Sequence, residues 1–282
     1  MKKNMMSYKS ITGDMEAQME NTFLEKTKAG KKTIGTFFEI GYGAVGEAIA
    51  LTDLDYFIID CEHGPYDVES TGEIIRAAEG AGEGKVTPLV RVKDSQRNSI
   101  LKMLDIGAKG LIIPQVQSLE EIKQIVKYGK YYPVGDRGFA FTRNVKYGCA
   151  PEAKGTVQEY FDACNEKQLL IPQCETKGCL EEIEAITATD GIDGIFVGPY
   201  DLSVALGIPA QFDKSEFKEA LNRILAAVKA AGKFCIIYAD NEQVGAERLA
   251  LGFDSITLSM DNSIYIEAMN RCVTNVQNLL NK

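Results

Sequence analysis

Short apolar runs alternate with amphipathic stretches along most of the chain. The runs fall at residues 33–38, 56–61, 87–92, 110–114, 169–174, 194–197, 234–238 and 255–258. They are rich in Ile, Val, Leu and Phe and do not strictly alternate with polar residues, as expected of strands buried on both faces of a parallel sheet. Between them, apolar residues recur at helical spacing. Residues 68–81 place Ile74, Ile75 and Ala78 on one face. The same spacing predicts helices over 96–104, 119–128 and 217–231, one after Gly155, and a closing helix over 264–280. Several of these helices end on glycine, as at Gly107, Gly232 and Gly252.

Eight such units in about 250 residues, with no break in composition, point to an α/β protein of the (β/α)8 TIM barrel type. The expected organisation is a single barrel domain over 21–282 preceded by an extension over 1–20, in which 15–20 suits a short helix. A doubly wound open sheet is the alternative, but no G-x-G-x-x-G follows the first strand. Residues 131–167 are long for a connection between strand and helix, and long loops at the C-terminal face of a barrel usually serve function.

Composition narrows the function classes. With 31 Lys and Arg against 40 Asp and Glu, the formal net charge of the 282-residue chain is −9. That balance argues against a nucleic-acid partner, which needs a basic footprint. No apolar run approaches the roughly 18 residues of a membrane span, and 1–32 has no signal-peptide core, so no membrane partner is expected. Seven dispersed cysteines suggest free thiols and a cytoplasmic location. His63 is the only histidine, which excludes a site with two imidazole ligands. Imidazole proton transfer near neutral pH must then run through it.

Active sites of barrels form at the C-terminal ends of strands. Those ends carry Asp60-Cys61-Glu62-His63, Arg91, Gln115, Gln173-Cys174-Glu175 and Gly198-Pro199-Tyr200-Asp201. Glu175 and Asp201 suit a hard divalent ion; each also suits a helix N-terminus. His63 reads as a base whose basicity Asp60 could raise, or as a solvent-facing loop residue. Arg91 needs a partner, either an anionic substrate or a structural pairing with Asp60 or Glu62. Asp105 opposes the dipole of its own helix, which suggests a nonlocal partner. Alternation in a strand sends Cys61 and Cys174 away from their acidic neighbours, against a zinc–thiolate set. Lys93, the nearest candidate for a Schiff base, has no surroundings that suggest a desolvated pocket.

In this order and spacing, the segments Asp60-Cys61-Glu62-His63-Gly64, Val90-Arg91, Leu104-Asp105-Ile106-Gly107-Ala108, Gly135-Asp136-Arg137-Gly138, Gln173-Cys174-Glu175-Thr176 and Gly198-Pro199-Tyr200-Asp201-Leu202-Ser203 resemble the HpcH/HpaI family of metal-dependent 2-oxo acid aldolases. The resemblance covers residues 21–280. It implies a (β/α)8 barrel, commonly a hexamer whose last helix packs on a neighbouring copy. It also implies an aldehyde-lyase that cleaves a 4-hydroxy-2-oxo acid to pyruvate and an aldehyde through a metal-bound pyruvate enolate. On this resemblance Glu175 and Asp201 are ligands of a divalent cation (Mg²⁺, Mn²⁺ or Co²⁺), and His63 is the general base. Arg91 stabilises the enolate, Asp105 raises the basicity of the histidine, and Asp60 is a second polar partner. Gln173 and the Gly198, Pro199, Tyr200, Asp201 turn hold the pyruvate end, the short helix after Pro199 offering backbone N–H groups. One departure is Tyr200, where alanine is common in the family; tyrosine narrows the pocket or adds a hydroxyl. Two alternatives keep the barrel: a related lyase or condensing enzyme acting on another 2-oxo acid such as oxaloacetate, and a 2-oxo acid-binding barrel without turnover.

Overall fold

The computed structural model describes residues 20–281. Its eight strands are β1 (Thr33–Phe38), β2 (Tyr56–Asp60), β3 (Thr87–Arg91), β4 (Gly110–Ile113), β5 (Leu169–Cys174), β6 (Gly194–Val197), β7 (Phe234–Ala239) and β8 (Ser255–Met260). They pair in chain order, all parallel, and β8 returns to β1 to close a barrel. Closure rules out the open doubly wound sheet. The helices are α1 (Thr22–Lys28), α2 (Gly43–Ala50), α3 (Val68–Gly82), α4 (Arg97–Asp105), α5 (Leu119–Gly129), α6 (Val157–Lys167), α7 (Lys177–Glu181), α8 (Ile183–Thr187), α9 (Pro199–Ala205), α10 (Ser215–Ala230), α11 (Glu242–Leu251) and α12 (Asp261–Leu280).

The apolar pattern explains the two layers of core. In β2, Tyr56 and Ile58 point into the barrel with Leu89, Ile112, Ile171, Phe196 and Ile236. Phe57, Ile59 and Cys61 point outward and pack with the helices. The period of two fixes this sorting in every strand. Helix α10 meets the outer layer through Phe217, Leu221, Ile224 and Val228, spaced for one face. Local signals set the helix starts: Asp67 and Ser70 form a capping box on α3, and Ser118 caps α5.

Two features differ from the sequence expectations. Helix α1 was not anticipated. It closes the N-terminal end of the barrel, where buried Phe23 meets the rings of Tyr56 at 4.9 Å and Phe234 at 5.4 Å, edge to face. Asn21 caps α1 and donates to the carbonyls of Lys109 and Lys167, tying it to the barrel. Apart from Glu20, the helix expected at 15–20 lies outside the described residues.

The second difference concerns residues 131–167. They follow α5 and precede β5, so they connect a helix to a strand at the N-terminal end of the barrel, opposite the mouth. They hold a small core of their own, Tyr131, Val145, Ala150, Tyr160 and Cys164, with Tyr131 stacked on Phe161 at 4.4 Å. Arg137 is buried over the Tyr131 ring and pairs with Asp105 at 2.7 Å and Gln168 at 2.7 Å. Within one copy of the chain the segment does not reach the mouth, and the expectation that it lies at the C-terminal face is corrected.

Candidate active site at the mouth of the barrel

The C-terminal strand ends surround a cavity of about 460 Å³ lined by His63, Arg91, Gln173, Gly198, Pro199, Tyr200 and Asp201, with Phe37, Glu39, Phe196, Tyr238, Asp240 and Met260. Period-two alternation carries the polar residues inward. Asp60 continues the inward row of Tyr56 and Ile58; Arg91 follows Leu89; Gln173 follows Leu169 and Ile171. Cys61 and Cys174 point into the helical layer, as the alternation required.

Arg91 takes the structural pairing. Its Nε and Nη2 donate to the two carboxylate oxygens of Asp60 at 2.8 and 2.6 Å, and its Nη1 lies 3.3 Å from Glu62. The guanidinium also sits over the Phe37 ring at 4.6 Å. Asp60 is fully buried. Burial alone would push its carboxyl up, but the hydrogen bonds and charge of Arg91 outweigh that and hold it below the usual range. Asp60 Oδ1 also accepts from the backbone N–H of Glu62 and His63, which fixes the turn carrying the histidine.

The imidazole itself stands at the mouth, 70% exposed, with Glu62 Oε2 3.9 Å from Nε2. Its carboxylate neighbour is therefore Glu62. Asp60, expected beside the ring, is engaged by Arg91 and holds the histidine through its backbone. Asp105 is not brought to His63 within the chain. It ends α4 near the N-terminal end of the barrel, bonded to Arg137. That ion pair, made with a residue 32 positions away, is the nonlocal partner its poor fit to the helix dipole called for.

Glu175 is buried and acts as a hub. Its Oε1 accepts from the backbone N–H of Gln115 at 2.8 Å and from the Gln115 side chain at 3.2 Å; its Oε2 accepts from Gln173 Nε2. Gln115 holds φ at 55°, a left-handed conformation uncommon outside glycine, and this aims its N–H at Glu175. Burial raises the Glu175 carboxyl to about 7; the Gln115 hydrogen bond opposes the rise, and the charges of Glu62 and Asp201 add to it. Gly198 must be glycine, because a Cβ there would lie 2.5 Å from Glu175 Oε2 and 2.8 Å from Gln173 Nε2.

Among the described residues, no set of three or more His, Cys, Asp and Glu side chains is arranged to hold a metal ion. A hard divalent ion needs fewer, since one or two carboxylates suffice when water and substrate oxygens complete the shell. Three observations fit such an ion. Glu175 is a desolvated carboxylate under repulsion from its neighbours. Asp201 lies in the first turn of α9 on the same cavity wall. The buried Gln173 Oε1 has no hydrogen-bond partner.

Sequence reasoning passed over Glu39 and Asp240. Glu39 directly follows β1, where Asn262 donates to it at 3.1 Å; an acid at a strand end was signal enough. Burial, then Asp60, raises its carboxyl. Asp240, directly after β7, accepts from the Tyr200 hydroxyl at 2.8 Å.

A family model described as HpcH/HpaI aldolase/citrate lyase matches residues 34–268. A 2-keto-3-deoxy-L-rhamnonate aldolase of Klebsiella pneumoniae is 29% identical over 91% of this chain and 93% of its own length. One from Salmonella paratyphi A is 31% identical over 92% and 94%. Among solved structures, an HpcH/HpaI aldolase/citrate lyase family protein of Burkholderia cenocepacia superposes with a TM-score of 0.82 at 27% identity, covering 92% of this chain and all of that one. The citrate synthase SbnG superposes with a TM-score of 0.80 at 27% identity, covering 93% of this chain and all of its own. With the barrel, the mouth and its polar residues in place, the chain belongs to the HpcH/HpaI aldolase/citrate lyase family.

Proposed function

We propose that the protein is a divalent-metal-dependent aldolase that reversibly cleaves a 4-hydroxy-2-oxo acid to pyruvate and an aldehyde. The observation that carries this reading is the desolvated Glu175, crowded by Glu62 and Asp201 and bonded to Gln173, which lines the same cavity as Arg91 and Asp201. Glu175 and Asp201 would hold the ion. When bound, Mg²⁺, Mn²⁺ or Co²⁺ supplies Lewis-acid polarisation of the 2-oxo group.

The chain's own residues do the rest. Gln173 and the turn from Gly198 to Asp201 seat the oxo acid. In the cleavage direction, an imidazole nitrogen of His63 takes the proton from the 4-hydroxyl. The C4 carbonyl forms as the C3–C4 bond breaks, and the electron pair passes to the pyruvate enolate. Arg91 presents fixed positive charge where that negative charge develops, in a site whose donors are already oriented. Asp60 positions both groups: it clamps the guanidinium and holds the backbone that carries His63. The relatives that act on 2-keto-3-deoxy-L-rhamnonate support the reaction class.

The reading includes self-association. Helix α12 buries none of its residues, and Ile266, Met269, Val273, Val276 and Leu280 form one exposed stripe at helical spacing. A second copy of the chain is its proposed partner.

The test is pyruvate release from a 4-hydroxy-2-oxo acid. EDTA is expected to abolish it and Mn²⁺ to restore it, and His63→Ala should lower the rate by about 10²–10⁴. Activity that survives EDTA, or a lysine adduct trapped by borohydride, overturns the proposal.

A further inference from the structure

The cavity is sorted by chemistry. Gln173 and Glu175, 3% and 2% exposed, sit deep on one side. Tyr200, 44% exposed, stands at the lip with Tyr238 and Asp240. Its ring is held edge-on by Phe212 at 5.1 Å and by Tyr238 at 6.3 Å, so its hydroxyl has a fixed place. That hydroxyl donates to Asp240 Oδ1 at 2.8 Å. The pair has thereby used its single proton. What this pair still offers a ligand is oxygen lone pairs, those of Tyr200 Oη and of the Asp240 carboxylate.

Charge points the same way. Among the described residues lining the cavity, Arg91 is the only Lys or Arg, and Asp60 and Glu62 already neutralise it. Besides Asp201, assigned above to the ion, Glu39 and Asp240 supply acids on the walls. One anionic group of a substrate can be met at the deep end, by Arg91 and the proposed ion; a second, at the lip, would face Asp240 with no Lys or Arg beside it. Phe37, Phe196, Tyr238 and Met260 give the space between a carbon-lined surface.

We propose that Tyr200 and Asp240 are the specificity-determining residues of the acceptor end, selecting a neutral aldehyde with a hydroxyl group and rejecting one with a second carboxylate. This deepens the aldolase reading and rests on it. The ligand hydroxyl donates into the Tyr200–Asp240 pair while its carbon chain lies on the aromatic wall. Semialdehydes of dicarboxylic acids are poor acceptors on this account.

The experiment uses the full chain with Mn²⁺ and pyruvate, and compares aldol formation from three acceptors: lactaldehyde, propanal and succinic semialdehyde. Wild type should favour lactaldehyde over the semialdehyde by about tenfold in kcat/KM, the scale of a close like-charge contact near the protein surface. Asp240→Asn should shrink that ratio by about tenfold, since it removes the charge and keeps the shape. Tyr200→Phe should reduce the preference for lactaldehyde over propanal by about tenfold, the worth of one hydrogen bond. Both changes are conservative, and each is read as a ratio within one variant, which a general loss of activity does not move.

Deuterium exchange at the pyruvate methyl, measured in wild type without aldehyde, separates the two readings. Exchange together with a wild-type preference for the semialdehyde, or with ratios unmoved in both variants, overturns the acceptor proposal and leaves the aldolase standing. No exchange overturns both.

Discussion

Asp60 shows how much one side chain can carry. It is fully buried, bonded twice to Arg91 and twice to backbone N–H groups of the turn before the mouth. Its lowered pKa has a defined consequence for acid stability. The fold prefers the charged form, so the contribution is fully present above the ordinary value of 3.8 and fades as pH falls through the lower native value. Asp60→Asn should cost about 3–5 kcal/mol at pH 7, because it strands a buried guanidinium. Denaturant titrations should show the gap between wild type and variant narrowing below pH 4. A gap that is constant with pH would sink the assignment. At this scale the sequence was legible where geometry is local. Period two in β2, β3 and β5 sends Asp60, Arg91 and Gln173 inward whatever else the chain does. The partner of Asp105 was not legible, because Arg137 reaches it through a connection whose path no local pattern specifies. The same holds for Glu62, whose place between Arg91 and His63 depends on how the turn closes.

Among the elements, the strands were the readable part, since eight apolar runs bounded by turns leave few other assignments. Their ends moved by one or two residues, as at β8, which extends to Met260. Helix α2 (GAVGEAIA) is built from small residues with little contrast between its faces, so periodicity had little to register. Helix α1 is only seven residues long, and what defines it is the barrel floor it covers. Its worth can be measured. Phe23→Ala removes a fully buried ring from between Tyr56 and Phe234 and should cost about 3–5 kcal/mol in chemical denaturation. A loss below 1 kcal/mol would mean that the floor seals without it. The connection over 131–167 shows the opposite limit. Its length was plain, but its end of the barrel followed only from its lying after α5 rather than after a strand.

On the proposed reading, the whole molecule carries its association surface at the C-terminal end of the chain. An exposed stripe of Ile266, Met269, Val273, Val276 and Leu280 along 20 residues of α12 is more apolar surface than a monomer usually leaves open. Light scattering should find wild type as a multimer and Val273→Glu/Val276→Glu at lower mass with its helical signal retained. A monomeric wild type overturns the interface. The net charge of −9 says little about the mouth, since Glu39, Asp201 and Asp240 are only three of the chain's 40 Asp and Glu.

The packed interior decides the traffic at the barrel. With Ile58, Leu89, Ile112, Ile171 and Phe196 filling the space beneath the mouth and Phe23 below them, the cavity is a vessel with one door. On the proposed reading, the oxo acid occupies the bottom, by Gln173 and Glu175, and the aldehyde stands in the doorway by Tyr200. The two must then enter in that sequence and leave in the reverse one. An aldehyde lodged at the threshold imprisons the oxo acid beneath it, so the lip that chooses the acceptor also sets how long pyruvate stays inside.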